Sequence, residues 1–183
     1  MHRVFGRPTG NGDRNLYEAI SIEYSKEETP LGTGGALRQA CQTIMGGDVL
    51  GMNGDSYVDI DLRDFATWHM NIGGLLSIVI ASVKNSDRFG VVDVSSDGKI
   101  TDFFEEKQKK VAGEAFINAG VYFMNRSLLD TLPKKRKFSL ERDFLSSLTG
   151  WEIMGYKAKR GFIDIGTPES LRNAPEFFYT VDL

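Results

Sequence analysis

The chain has 183 residues, 41% of them hydrophobic and 26% charged, with a formal net charge of −3. That is the length of about one domain and the composition of a folded soluble protein, not a disordered one. The acidic balance argues against a nucleic-acid surface, and the single cysteine, Cys41, excludes an intramolecular disulfide and a cysteine-built zinc cluster, which fits a cytoplasmic compartment. The longest apolar run, Leu75 to Val83, falls well short of the ~20 residues of a membrane span. The first residues lack the apolar core of a signal peptide.

Residues 1–15 are polar and glycine-rich and read as a loop, or as a segment entered in mid-domain. Ala19 to Tyr24 alternates apolar and polar and predicts a strand. Pro30 precedes the glycine-rich stretch Leu31-Gly32-Thr33-Gly34-Gly35, after which a helix is expected over Ala36 to Ile44, ended by Gly46-Gly47. Val49 to Met52 reads as a buried strand stopped by Asn53-Gly54-Asp55. A helix follows from Leu62 to about Asn71 with Asp61 as its N-cap, and His69 reads as a surface or boundary residue of it. Leu76 to Val83 predicts a strand covered on both faces. Phe89–Val94 and Lys99–Phe104 predict a hairpin turning at Ser96-Asp97-Gly98, and Ile117–Met124 a further strand. Pro133 to Lys137 reads as a basic, solvated loop. Leu140–Leu148 predicts a helix capped by Ser139, with Arg142 and Asp143 facing water. Strands over Glu152–Lys157 and Gly161–Ile165 and a helix opened by Thr167-Pro168 complete the chain. The order implies an α/β sheet carrying antiparallel additions, and neither a repeat nor a linker divides 1–183.

Three features carry possible chemistry. The Leu31–Gly35 stretch opens a helix and so offers backbone N–H groups to a ligand, and its small residues admit a flat ring. It matches neither common phosphate-loop pattern, and turn chemistry explains it equally. Asp55 and Asp164 stand at strand ends, and Asp164 lies between Phe162-Ile163 and Ile165-Gly166, an unfavourable place for a charge unless it is paired or holds a metal. Two carboxylates converging on Mg²⁺ with substrate phosphates is a usual arrangement for that ion. Asp55 alone also reads as part of an Asn-Gly-Asp turn. Lastly, Glu105-Glu106-Lys107 and Asn118 lie at hairpin or strand ends, where they can meet a phosphate and sugar hydroxyls or form a solvated charge cluster.

Taken together and in order, Pro30–Ala36, Asn53-Gly54-Asp55, Phe104-Glu105-Glu106-Lys107, Ile117–Tyr122 and Phe162–Glu169 resemble the sugar-1-phosphate nucleotidylyltransferases, from about Ile20 onward. The resemblance implies a Rossmann-like mixed sheet flanked by helices, of the nucleotide-diphospho-sugar transferase type, in one domain. It implies that Leu31, Gly32, Thr33, Gly34, Gly35 and Asn53 bind the nucleotide and that Asp55 and Asp164 hold Mg²⁺. Glu106 and Asn118 would bind the sugar and Lys107 its phosphate, with Asp55, Asp164 and Lys107 carrying catalysis. The partners implied are a nucleoside triphosphate and a sugar 1-phosphate, with a homo-oligomer left open and neither nucleic acid nor membrane expected. Gln108 after Glu106-Lys107, and the segments Lys137–Glu141 and Gly161–Asp164, look most like the D-glycero-D-manno-heptose 1-phosphate guanylyltransferases. GTP with a manno-heptose phosphate is therefore favoured, followed by mannose 1-phosphate with GTP and then glucose 1-phosphate with another triphosphate.

The family's first strand and its Gly-Gly-x-Gly-Thr-Arg-Leu loop are not found in these residues, so the chain is expected to be a truncated family domain with crippled turnover. A non-catalytic nucleotide-sugar-binding or partner-binding relative is the alternative.

Overall fold

The computed structural model describes residues 24–44, 47–104, 113–148, 153–159 and 161–180. In chain order these form α1 (Gly32–Cys41), β1 (Val49–Met52), β2 (Ser56–Val58), α2 (Leu62–Ile72), β3 (Leu76–Val83), β4 (Val91–Val94) and β5 (Ile100–Phe104). β6 (Ala115–Met124), α3 (Arg126–Leu129), α4 (Leu140–Asp143), β7 (Ile153–Lys157), β8 (Phe162–Asp164) and α5 (Pro168–Thr180) follow.

The main sheet runs β5-β4-β6-β3-β7, with β1 also paired to β6. Among the described strands only β3 and β7 pair in parallel; β1, β3 and β4 all run antiparallel to β6. β2 and β8 form a separate two-stranded ribbon. The apolar run of β3 is covered on both faces, as its composition implies. Leu76, Ile78 and Ile80 enter one core with Tyr122, Met124 and Phe138, while Val79 and Ala81 enter the other with Phe65, Ile117 and Val121.

Local chemistry explains the helix ends. Asp61 accepts from the backbone N–H groups of Arg63 and Asp64 and starts α2, and Gly73 at φ 65° closes it. The Arg126 guanidinium donates to the carbonyl of Cys41, the last residue of α1, and to that of Ile44 beyond it, where a cation complements the negative end of the helix dipole. Thr167 Oγ1 accepts from Ser170 N–H at the start of α5.

Several expectations change. α1 begins at Gly32, not Ala36, because its glycines pack against the loop at 136–138. The helix expected over Leu140–Leu148 is one turn of α-helix followed by a 3-10 turn, Leu145–Ser147. Asp143 does not simply face water: it ion-pairs with Lys135 at 3.2 Å and accepts from Ser139 N–H. Lys135 and Arg136 of the basic loop are thus partnered, the latter with Glu28 at 3.8 Å. His69 is no boundary residue; it is 1% exposed, bonded through Nδ1 to Ser77 Oγ at 2.7 Å and in tilted contact with the Phe123 ring, centroids 4.6 Å apart. Of the strand expected over Ala19–Tyr24, only Tyr24 lies within the described residues, and it is irregular and exposed.

Candidate active site

β6 changes partners along one edge: β1 pairs with Val121–Met124, and β4 meets it at Ile117. Between them β6 bulges. On its other edge Ile78 faces Tyr122 and Ile80 faces Asn118, so Ala119, Gly120 and Val121 stand opposite Val79 alone. Extra residues of this kind re-aim side chains next to active sites. Gly120 takes φ 75°, and its carbonyl accepts from Asn53 N–H at 2.8 Å. A Cβ on Gly120 would lie 2.5 Å from Asn53 Nδ2, so glycine is what lets Asn53 lie against the bulge.

A cavity of about 650 Å³ opens at this point, lined among others by Asn53, Arg88, Asn118, Tyr122, Glu141 and Asp164. Asn53 also lines a second cleft of about 640 Å³, whose wall includes Thr33, Ala36, Leu37, Met52 and Asp55. Asn53 therefore stands between a space bordered by α1 and a space bordered by Asn118.

The two aspartates converge. Ser56 pairs with Asp164 in the β2/β8 ribbon, and Ile165 N–H donates to the Asp55 carbonyl at 2.8 Å. A methyl group built on Gly166 would lie 3.4 Å from both oxygens of Asp164 and from Oδ2 of Asp55. Three carboxylate oxygens thus border one space that glycine keeps open, a donor set that fits a hard divalent cation. Arg88 donates to Asp164 Oδ1 at 3.0 Å, and Gly166 N–H reaches the same oxygen at 3.3 Å. Arg88 thereby answers the awkward placement of that carboxylate in the sequence.

The glycine-rich stretch differs from a loop with unspent amides. Gly34 and Gly35 N–H both donate to the Phe138 carbonyl, at 3.1 and 3.3 Å, and Leu31 N–H donates to Glu27. A Cβ on Gly34 would lie 2.2 Å from the Phe138 ring, and one on Gly35 2.7 Å from the Arg136 carbonyl. These glycines are required first for close packing. Thr33 remains exposed at the rim, and its Oγ1 donates to Glu141 Oε2 at 2.8 Å.

Asn118 shares a face of β6 with Tyr122 and donates to its hydroxyl at 2.8 Å. Tyr122 in turn donates to Glu141 Oε1 at 2.9 Å. Burial, then the Glu141 charge, holds the Tyr122 phenol well above its ordinary pKa, so it remains a proton donor. Tyr122, Glu141 and Arg88 were not expected as site residues. Tyr122 ends the Ile117–Tyr122 motif and Glu141 ends Lys137–Glu141, but hydropathy reads them as strand and helix residues, and only the fold shows that they meet. Glu106 and Lys107 lie outside the described residues, as does Glu105. Asp55, Asp164, Asn53, Asn118 and Thr33 are brought to the two adjoining clefts.

Residues 5–180 match the Nucleotidyl transferase family. A D-glycero-alpha-D-manno-heptose 1-phosphate guanylyltransferase of Aneurinibacillus thermoaerophilus is 35% identical over 161 residues, 87% of this chain and 68% of that protein. A mannose-1-phosphate guanylyltransferase of Mycobacterium tuberculosis is 29% identical over 153 residues, covering 82% of this chain but 42% of the relative. The crystal structure of HddC from Yersinia pseudotuberculosis complexed with GMP-PN superposes with a TM-score of 0.71 at 33% identity, over 83% of this chain and 64% of that one. The α/β architecture, mixed sheet and flanking helices are therefore those of nucleotide-diphospho-sugar transferases, and the chain belongs to the Nucleotidyl transferase family.

Proposed function

We propose that this chain carries a guanylyltransferase site, joining the guanylyl group of GTP to a manno-configured sugar 1-phosphate, a heptose in first place and mannose in second. The observation that carries this reading is the convergence of Asp55 and Asp164 beside the cleft holding Asn118. The relatives that act on GTP and such sugars, and HddC with its bound GMP-PN, support it.

In this reaction a phosphate oxygen of the sugar 1-phosphate forms a bond to the α-phosphorus of GTP. The bond from that phosphorus to the bridging oxygen breaks, and pyrophosphate leaves with the electron pair. The chemistry asks for alignment and charge neutralisation, not for a protein nucleophile. Asp55 and Asp164 would hold Mg²⁺, which supplies positive charge between two anionic reactants. Thr33 and Asn53 border the nucleotide's cleft; Leu31 is buried and does not line it, and Gly32, Gly34 and Gly35 set the packing that places Thr33. Asn118 would take sugar hydroxyls. Glu106 is assigned to the sugar and Lys107 to its phosphate on the resemblance of Phe104–Lys107. A cytoplasmic location would fit the single cysteine, Cys41. Among the described residues no helix is long and apolar enough to cross a membrane.

The test is pyrophosphate release and nucleotide-sugar mass with Mg²⁺, each nucleoside triphosphate and a panel of sugar 1-phosphates. Metal-dependent GDP-sugar formation that disappears in Asp55→Ala and Asp164→Asn supports the reading. Turnover unchanged in both variants overturns it. Binding of GDP-sugar without turnover would identify the non-catalytic alternative.

A further inference from the structure

Glu141 joins three elements that are far apart in sequence. Its Oε2 accepts from Thr33 Oγ1 at 2.8 Å and Ser139 Oγ at 2.9 Å, and its Oε1 accepts from the Tyr122 hydroxyl at 2.9 Å. The chain continues outward at both ends. Thr33 Oγ1 accepts from Leu140 N–H at 2.8 Å. The Tyr122 hydroxyl accepts from Asn118 Nδ2 at 2.8 Å, and Asn118 Oδ1 accepts from Gly120 N–H at 3.0 Å.

A hydroxyl has one proton to give. Thr33 gives its proton to Glu141 and takes one from Leu140; Tyr122 gives its proton to Glu141 and takes one from Asn118. Neither hydroxyl can turn without losing two bonds. The amide of Asn118 is equally fixed, since reversing it would set its NH₂ against Gly120 N–H. Three donors on one carboxylate are charge-assisted bonds, stronger than neutral ones, and Tyr122 is only 2% exposed, so water competes poorly for its share of the network. Glu141 reaches beyond the local turn at Ser139, to the rim residue Thr33 on one side and, through Tyr122, to the cleft residue Asn118 on the other.

We propose that Glu141 and Tyr122 are positioning residues that fix Thr33 and Asn118 relative to each other and so couple occupancy of the nucleotide cleft to occupancy of the sugar-phosphate cleft. This rests on the guanylyltransferase reading, because it takes Thr33 to border the nucleotide and Asn118 the sugar. A coupling of this kind is reciprocal: each ligand must raise the affinity for the other by the same factor. It also favours the productive ternary complex over either reactant bound alone.

The probes are guanosine, which has no phosphate to repel the second ligand, and mannose 1-phosphate. Each is titrated alone and against a saturating level of the other by NMR on the full chain, with the Asn118 side-chain amide as reporter. In the unaltered protein guanosine should shift the Asn118 amide signal and tighten mannose 1-phosphate binding by about fivefold or more. Tyr122→Phe, Glu141→Gln and Thr33→Val should each bring the factor to about one and silence the Asn118 response to guanosine. Thr33→Ser, which keeps the hydroxyl, should restore both. Thr33 is exposed, so its variants keep the test decisive if Glu141→Gln or Tyr122→Phe folds poorly. Coupling that survives Thr33→Val and Tyr122→Phe in folded protein overturns the inference while leaving the guanylyltransferase reading intact. If the unaltered chain binds neither probe, that reading fails and the inference with it.

Discussion

Gly120→Ala tests whether the bulge in β6 exists to seat Asn53. Two costs add. At φ 75° a residue with a side chain sits in the left-handed region, at about 1–2 kcal/mol. The new methyl would also meet Asn53 Nδ2 at 2.5 Å, Cγ at 2.7 Å and Cβ at 3.0 Å, and overpacking costs about 1–3 kcal/mol. Asn53 is exposed and its far end can swing away, which holds the second cost near the low end. The expected sum is about 2–4 kcal/mol, or about 4–16 °C in Tm for a chain of this size. Chemical denaturation of four proteins separates the parts: the unaltered chain, Gly120→Ala, Asn53→Ala and the double variant. In the Asn53→Ala background two of the three close contacts are gone, so Gly120→Ala should cost only its backbone share, about 1–2 kcal/mol. The single variant should also lose ligand affinity, because Asn53 has been displaced from the wall between the clefts. If Gly120→Ala costs the same in both backgrounds, the close contact with Asn53 is not what selects glycine, and the argument fails.

Gly34→Ala should destabilise by about 1–3 kcal/mol in the same assay even though alanine is the better helix former, because its methyl would fall 2.2 Å from the buried Phe138 ring. A gain in stability would show that α1 shifts freely on its loop. Asp61→Ala should cost about 1 kcal/mol through loss of the α2 cap, and Asp61→Asn much less. The Asp143 carboxyl is held at about 2, first by the Arg142 guanidinium and then by Ser139 N–H. A depressed carboxyl stabilises the fold above its unfolded pKa of about 3.9 and loses that contribution as pH falls through about 2. The stability gap between the unaltered chain and Asp143→Asn should therefore close across that window. Burial lowers the His69 pKa, with the Asp48 charge opposing. The folded state then prefers the neutral ring, so stability should fall as pH drops below about 6.5, and His69→Gln should remove that slope; an unchanged slope would assign it to other groups.

Most strands were legible because their signals are local, but β2 (Ser56–Val58) was not, since it is three residues long and pairs only with distant β8. β3 is a continuous apolar run buried on both faces, and the β4/β5 hairpin turns at Ser96-Asp97-Gly98 as its turn residues require. Asp61, Ser139 and Thr167 all cap where their side chains imply. α4 ends after one turn, where Phe144 takes φ −125° and ψ −60° ahead of the 3-10 turn, a break that helical periodicity does not record. The start of α1 was misplaced because Gly32 to Gly35 enter the helix only by packing on Phe138. His69 looked like a surface residue because its partner, Ser77, is in the next strand. Of the candidate site, Asp164 stood out by its place among apolar residues and Asp55 by its strand end and the family resemblance, whereas Arg88, which pairs with Asp164, follows only from the fold.

The Asn53-Gly54-Asp55 tripeptide has a mechanical meaning that turn chemistry alone does not give it. On its near side Asn53 N–H is bonded to Gly120 in the main sheet; on its far side the Asp55 carbonyl is bonded to Ile165 beyond the β2/β8 ribbon. The three residues are thus the joint between two sheets. The aspartates sit on the ribbon side, and Asn118 with its hydrogen-bonded chain sits on the main-sheet side. On the proposed guanylyltransferase reading, the two carboxylates that would hold Mg²⁺ have to be kept in register with the residue assigned to the sugar, Asn118. Here that register passes through two backbone hydrogen bonds and one glycine. Gly54 has no atom within 4 Å of its would-be Cβ and so has room for a side chain, whereas Gly120 and Gly166 sit against Asn53 and the aspartates. Substitution at Gly54 should therefore be far milder in stability than at Gly120, although both are single glycines flanking the same site.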